Sequence, residues 1–170
     1  CRQILIGEPT GMKLGTAQKG WIWLELLVHG KTSHGAYPEQ GCSAVEHALQ
    51  MARGIKSYAE GFSHELLGAS TATITQIEGG TAPNMLPETC RVLTDIRTVP
   101  GLTAEMVLEQ AELCAGEQRR RSGGILETQI SIKNNRIPIE TKERAPIVRE
   151  MKQCMAGQGL KASCIGINFF

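Results

Sequence analysis

Trp21–Gly30 reads "WIWLELLVHG", and the alternation in this stretch decides the fold. Ile22, Leu24, Leu26 and Val28 fall on one side of an extended chain, and Trp21, Trp23, Glu25, Leu27 and His29 on the other, because successive side chains of a strand point to opposite faces. The stretch is predicted to be a strand with one wholly apolar face. Immediately afterwards the period changes. Between 43 and 58, Val45, Ala48, Leu49, Ala52 and Ile55 recur at helical spacing, and Ser43 with Glu46 makes a capping box.

Farther along, "ASTATITQIEGG" (69–80) is rich in β-branched residues and reads as a strand, followed by the loop "GGTAPNMLPE" (79–88). "ETCRVLTDIRTVPG" (88–101) is another strand, with Cys90, Val92, Thr94 and Ile96 facing one way and Arg91, Leu93, Asp95 and Arg97 the other. A second helix is predicted over 103–119, with Thr103 as N-cap, Glu105 in the first turn, and Val107, Leu108, Ala111, Cys114 and Ala115 as its apolar stripe. The run Arg119–Arg121 then complements the helix dipole at the C-terminal end. Gly123 and Gly124 stop the helix before a last strand, "ETQISIKN" (127–134), in which Thr128, Ile130 and Ile132 alternate with polar residues.

The order over 20–135 is therefore β-α-β-β-α-β, an α+β arrangement that closes as a ferredoxin-like four-stranded antiparallel sheet with both helices on one face. The other face carries Trp21, Trp23 and Leu27, an apolar content that calls for a partner or a second domain. The flanks do not belong to this unit. "QILIG" (3–7) reads as a buried strand, "EPTGMKLGTAQKG" (8–20) as a loop, "RAPIVREMKQCMAGQGL" (144–160) as a helix and "KASCIGINFF" (161–170) as a buried strand. These pieces are expected to be remnants of an α/β domain into which the first unit is inserted, giving divisions at 1–18, 19–136 and 137–170. With both ends of the sequence lying in apolar segments, the chain reads as a fragment of a longer protein.

Composition bounds the function. With 170 residues, 41% hydrophobic content and a formal net charge of +1, the chain has a globular protein's composition and no electrostatic footprint for nucleic acid. No apolar stretch is long enough to span a membrane and the start lacks a signal-peptide pattern, so a cytoplasmic protein is the expectation. The six cysteines are scattered without a CxxC pair, which fits reduced thiols in small apolar sites.

Of the four histidines, His29, His34, His47 and His64, no two stand at metal-binding helical spacing. His47 and His64 read as solvated. His34 sits in "GKTSHGAYPEQG" (30–41), a loop of glycine, proline and small polar residues, where a histidine is either a solvated bystander or a group held out toward a substrate. Glu8 follows an apolar run and precedes Pro9, at the carboxyl end of a predicted strand, which is where open α/β sheets bind ligands. Asp95 and Arg97, on the polar face of their strand, read as a surface pair.

Taken in order, "IGEPT", "KGW" with its amphipathic strand, "GKTSHGAYPEQG", the capped helix, "GGTAPNMLPE" and "TDIR" resemble the binuclear zinc metallopeptidase family of acetylornithine deacetylase, succinyl-diaminopimelate desuccinylase, aminoacylase and glutamate carboxypeptidase. The resemblance covers essentially the whole chain. It implies a ferredoxin-like lid, also the dimerisation domain, inserted into a zinc-binding α/β domain. Carried over by position, Glu8 corresponds to a carboxylate ligand of one zinc and His34 to a lid histidine that reaches the partner subunit's site and stabilises an oxyanion. Asn84 corresponds to a substrate-contacting asparagine and Arg97 to an arginine holding the substrate carboxylate. These residue types suit the tasks, since zinc accepts anionic oxygen, an oxyanion needs an N–H donor and a carboxylate matches a forked guanidinium.

The resemblance further implies two zinc ions, with cobalt or manganese as substitutes, a homodimer, and a small N-acylated amino acid or peptide as substrate. The family's other zinc ligands and its general-base glutamate have no counterpart in these residues, so the chain alone is expected neither to bind zinc tightly nor to hydrolyse an amide. A dipeptidase or carboxypeptidase stays open, as does a non-catalytic ferredoxin-like dimerising or ligand-binding module.

Overall fold

The computed structural model describes residues 3–168. In chain order the elements are β1 (Leu14–Gln18), β2 (Gly20–His29), α1 (Ala44–Ala59), β3 (Ser63–His64), β4 (Gly68–Ala69), β5 (Thr71–Gly79), β6 (Thr89–Thr98), α2 (Ala104–Arg121), β7 (Glu127–Arg136), β8 (Ile139–Glu140), α3 (Pro146–Gly157) and β9 (Cys164–Ile167). A short 3-10 turn, Pro38–Gln40, sits in the loop before α1. No helix among the described residues is long and apolar enough to cross a membrane.

The central sheet has the order β5-β6-β2-β7, all antiparallel, with α1 and α2 packed side by side on one face. This is the ferredoxin-like α+β unit that the sequence predicts. Its core is the alternation of β2 realised in space: Ile22, Leu24, Leu26 and Val28 are buried against Val92 and Ile96 of β6, Met51 and Ile55 of α1, and Val107 and Ala111 of α2. Burying each such side chain contributes about 1.5–3 kcal/mol, so this shared layer dominates the stability of the unit. Both predicted caps form: the Ser43 hydroxyl accepts the Glu46 N–H at 3.4 Å and the Thr103 hydroxyl accepts the Met106 N–H at 3.3 Å. His47 is half-buried instead of solvated, its Nδ1 2.9 Å from the buried Gln118 side-chain oxygen, and so links α1 to α2.

The flanks differ from expectation. "QILIG" is not a strand: residues 3–7 are irregular and Ile4, Leu5 and Ile6 are exposed, because among the described residues no layer is offered to them. The strand forms later, within the predicted loop, where β1 runs parallel to β9 and antiparallel to β8. This second sheet, in the order β8-β1-β9, ties the residues before the ferredoxin-like unit to those after it. β9 is half-buried and ends at Ile167; Cys1, Phe169 and Phe170 lie outside the described residues. His64 is also not a loop residue, since it lies in the β3–β4 hairpin with Nε2 3.7 Å from the Glu140 carboxylate.

Candidate functional site

Two loops meet beyond one end of the central sheet. β2 leaves it at Gly30, whose N–H donates to the Glu88 carbonyl at 2.8 Å. A methyl group on Gly30 would collide with the Cys42 carbonyl oxygen, so only glycine lets the returning chain close in at this point. From there the two loops are joined by backbone bonds. Leu86 N–H donates to the Ser33 carbonyl at 2.8 Å, Gly35 N–H donates to the Asn84 carbonyl at 2.7 Å, and His34 and Met85 form an isolated antiparallel bridge. The Thr32 hydroxyl adds a bond to the Leu86 carbonyl at 3.0 Å. His34 and Asn84, fifty residues apart, are thereby brought onto adjoining backbone, and both are exposed.

The His34 ring is oriented. Its Nδ1 accepts the Ala36 N–H at 3.1 Å, so the neutral ring carries its proton on Nε2, as an outward donor. The ring of the exposed Tyr37 lies 6.3 Å away, centroid to centroid. Tyr37 was not singled out by sequence reasoning; its only signal is its place three residues after His34 in the same loop.

Arg97 stands at the opposite end of β6, directly across from Trp21, on the sheet face that the helices leave uncovered. Its Nε and Nη2 donate to the two Asp95 oxygens at 2.7 and 2.9 Å, and the Trp23 indole N–H reaches the same carboxylate at 3.2 Å. Thr89, at the His34 end, and Arg97 are eight residues apart on β6, which is about 26 Å at a rise of about 3.3 Å per residue. The structure thus unites His34 with Asn84 but not with Arg97. Between the two ends lies Glu25, whose carboxyl is held below the usual range by the Lys133 ammonium first and by Arg91, against the opposing effect of its burial.

Glu8 is exposed, in irregular chain, with its carbonyl accepting the Thr10 N–H at 2.7 Å; the buried strand expected to precede it is absent. Among the described residues no three His, Cys, Asp or Glu side chains converge, so the residues present do not make up a metal site.

Residues 16–121 match the model of a family described as the peptidase dimerisation domain. The chain belongs to the M20 peptidase dimerisation-domain family. An acetylornithine deacetylase of Myxococcus xanthus is 31% identical over 157 residues, 87% of this chain and 40% of the relative. A peptidase M20 domain-containing protein of Schizosaccharomyces pombe is 35% identical over 108 residues, 60% of this chain and 27% of the relative. The M20 chain thus spans less than half the length of these curated relatives. Among solved structures, aminopeptidase PepT from Bacillus cereus superposes with a TM-score of 0.71 at 17% identity, covering 93% of this chain and 40% of its own. A hydantoinase/carbamoylase family amidase from Burkholderia ambifaria gives 0.70 at 15% identity, covering 92% and 37%. These two likenesses establish the fold.

Proposed function

We propose that the M20 chain is the lid and adjoining segments of a metal-dependent amidohydrolase that cleaves an N-acyl amino acid or a related amide, in the manner of an acetylornithine deacetylase. In this reading 19–136 is the lid and 1–18 with 137–170 belong to the catalytic domain; the sheet β8-β1-β9, which draws on both flanks, supports that division. The metal, zinc by family expectation, would be held mainly by residues of the longer protein, with Glu8 as one oxygen ligand. The described residues of this chain do not assemble that site by themselves.

The observation that carries the proposal is the His34 tautomer. An exposed ring with Nδ1 satisfied by its own backbone offers one N–H outward, the donor that a tetrahedral oxyanion requires. The adjoining Asn84 supplies an amide that can orient the acyl group. The separation of about 26 Å along β6 (Thr89 to Arg97) means that His34 and Arg97 cannot both reach one small substrate from a single copy. We assign them to a homodimer, Arg97 acting on the substrate of its own catalytic domain and His34 and Asn84 reaching the partner's.

The test uses the full-length protein with a panel of N-acyl amino acids, before and after chelation. Hydrolysis that disappears with the metal and returns on adding zinc, cobalt or manganese is expected. Cleavage confined to peptides would move the assignment to a peptidase, and metal-loaded protein inert on every amide would leave a non-catalytic dimerising module.

A further inference from the structure

Trp21 has a guanidinium on either side. Arg97 of β6 and Arg136 of β7 stand directly opposite it in the two ladders, with guanidinium carbons 5.8 and 4.8 Å from the indole centroid. Two cations gathered on one ring repel each other and need nearby negative charge. Asp95 supplies it to Arg97 alone, occupying the Nε and Nη2 edge at 2.7 and 2.9 Å. Arg136 is exposed and, among the described residues, its guanidinium has no hydrogen bond or ion pair; what places it is the Trp21 ring. The Trp21 indole N–H is buried and also meets no acceptor. Glu25, the next carboxylate along this face, is already held by Arg91 and Lys133. The corner therefore has one positive charge in excess and donors without acceptors.

We infer that Arg136 receives a ligand carboxylate at this corner, next to an Arg97 whose fork Asp95 already fills. A planar guanidinium pre-placed on an aromatic ring is the side chain best suited to a carboxylate, since little freedom is left to lose on binding. The ligand is the substrate's carboxylate, so the inference rests on the amidohydrolase reading above. It makes Arg136 a specificity-determining residue in addition to Arg97.

The experiment compares an N-acetyl amino acid with its methyl ester in the full-length enzyme carrying R136Q, R136K or R97Q. R136Q is expected to raise KM for the acid about tenfold to a hundredfold, the usual cost of losing a hydrogen-bonded charge partner, with kcat within about twofold and the ester unaffected. R136K, which keeps the charge without the fork, recovers part of the loss. An R136Q enzyme with unchanged KM for the acid, beside an R97Q enzyme that has lost it, overturns the inference and leaves the role of Arg97 standing. R136Q that lowers the melting temperature but not the affinity shows a carboxylate of the protein itself filling the corner, which also overturns it. If neither arginine matters to the acid, the carboxylate reading of the whole site fails. Should turnover be absent, calorimetric titration of the chelated protein with the same acid and ester reads the same differences as changes in Kd.

Discussion

The two ends of the central sheet are built by different means. At the His34 end two loops are joined by backbone hydrogen bonds, and the side chains of His34, Asn84 and Tyr37 are left exposed. At the Arg97 end the ordering is done by side chains: an indole flanked by two guanidiniums and a carboxylate that fills one of them. A backbone-built end can carry exposed groups in fixed positions to a distant surface, because its order does not depend on their contacts. A side-chain-built end holds its groups against the sheet and can only serve what comes to that face.

Mixed dimers would break this comparison most sharply. On the amidohydrolase proposal, His34→Ala in the full-length protein should lower turnover about a hundredfold to a thousandfold with metal content unchanged, the usual effect of deleting one oxyanion donor. Combined in equal amounts with an Arg97→Ala chain, it should regain about a quarter of wild-type activity, since half the dimers are mixed and each has one intact site. No recovery on mixing means both residues serve a site on one chain, against the distance along β6.

Gly30→Ala probes the backbone-built end directly. The new methyl group meets the Cys42 carbonyl oxygen, so the variant should lose about 1–3 kcal/mol of stability and misplace the His34 loop. Denaturant titration with parallel kinetics checks it: full stability and full turnover would mean the loops do not depend on this close approach.

The smallest effect belongs to the ground between the ends. The Glu25 carboxyl lies below its ordinary value of 4.5, chiefly through Lys133. Its contribution is therefore present above that value and is lost as pH falls through the lower folded-state value. Glu25→Gln should cost about 1 kcal/mol near neutrality and flatten the fall of melting temperature below about pH 4.5. An unaltered acid limb would show that the charges on this face are not coupled to folding.

Much of this was open to sequence reading because it is periodic. The alternation of Ile22, Leu24, Leu26 and Val28, the helical stripe from Val45 to Ile55 and the caps at Ser43 and Thr103 are local patterns whose physics needs no partner. The flanks were misread because an apolar run such as Ile4–Ile6 signals only that burial is wanted, while Leu14–Gln18 becomes a strand by pairing with residues more than a hundred positions away.

Arg136 shows the same limit on a smaller scale. In β7, Ile130 and Ile132 face the helices, and strict alternation would send residue 136 the same way. The pairing slips between Trp23 and Leu24, leaving Lys133 as an extra residue, so that Asn134 and Arg136 come opposite Trp23 and Trp21 on the uncovered face. The sequence by itself determined the order of the four central strands and the two helices packed on them, the buried layer and the loop that bears His34. Only the tertiary structure decided that Asn84 joins His34, that Arg97 lies at the far end and that Arg136 turns outward, because each depends on hydrogen bonds between segments distant in sequence, which local periodicity does not encode.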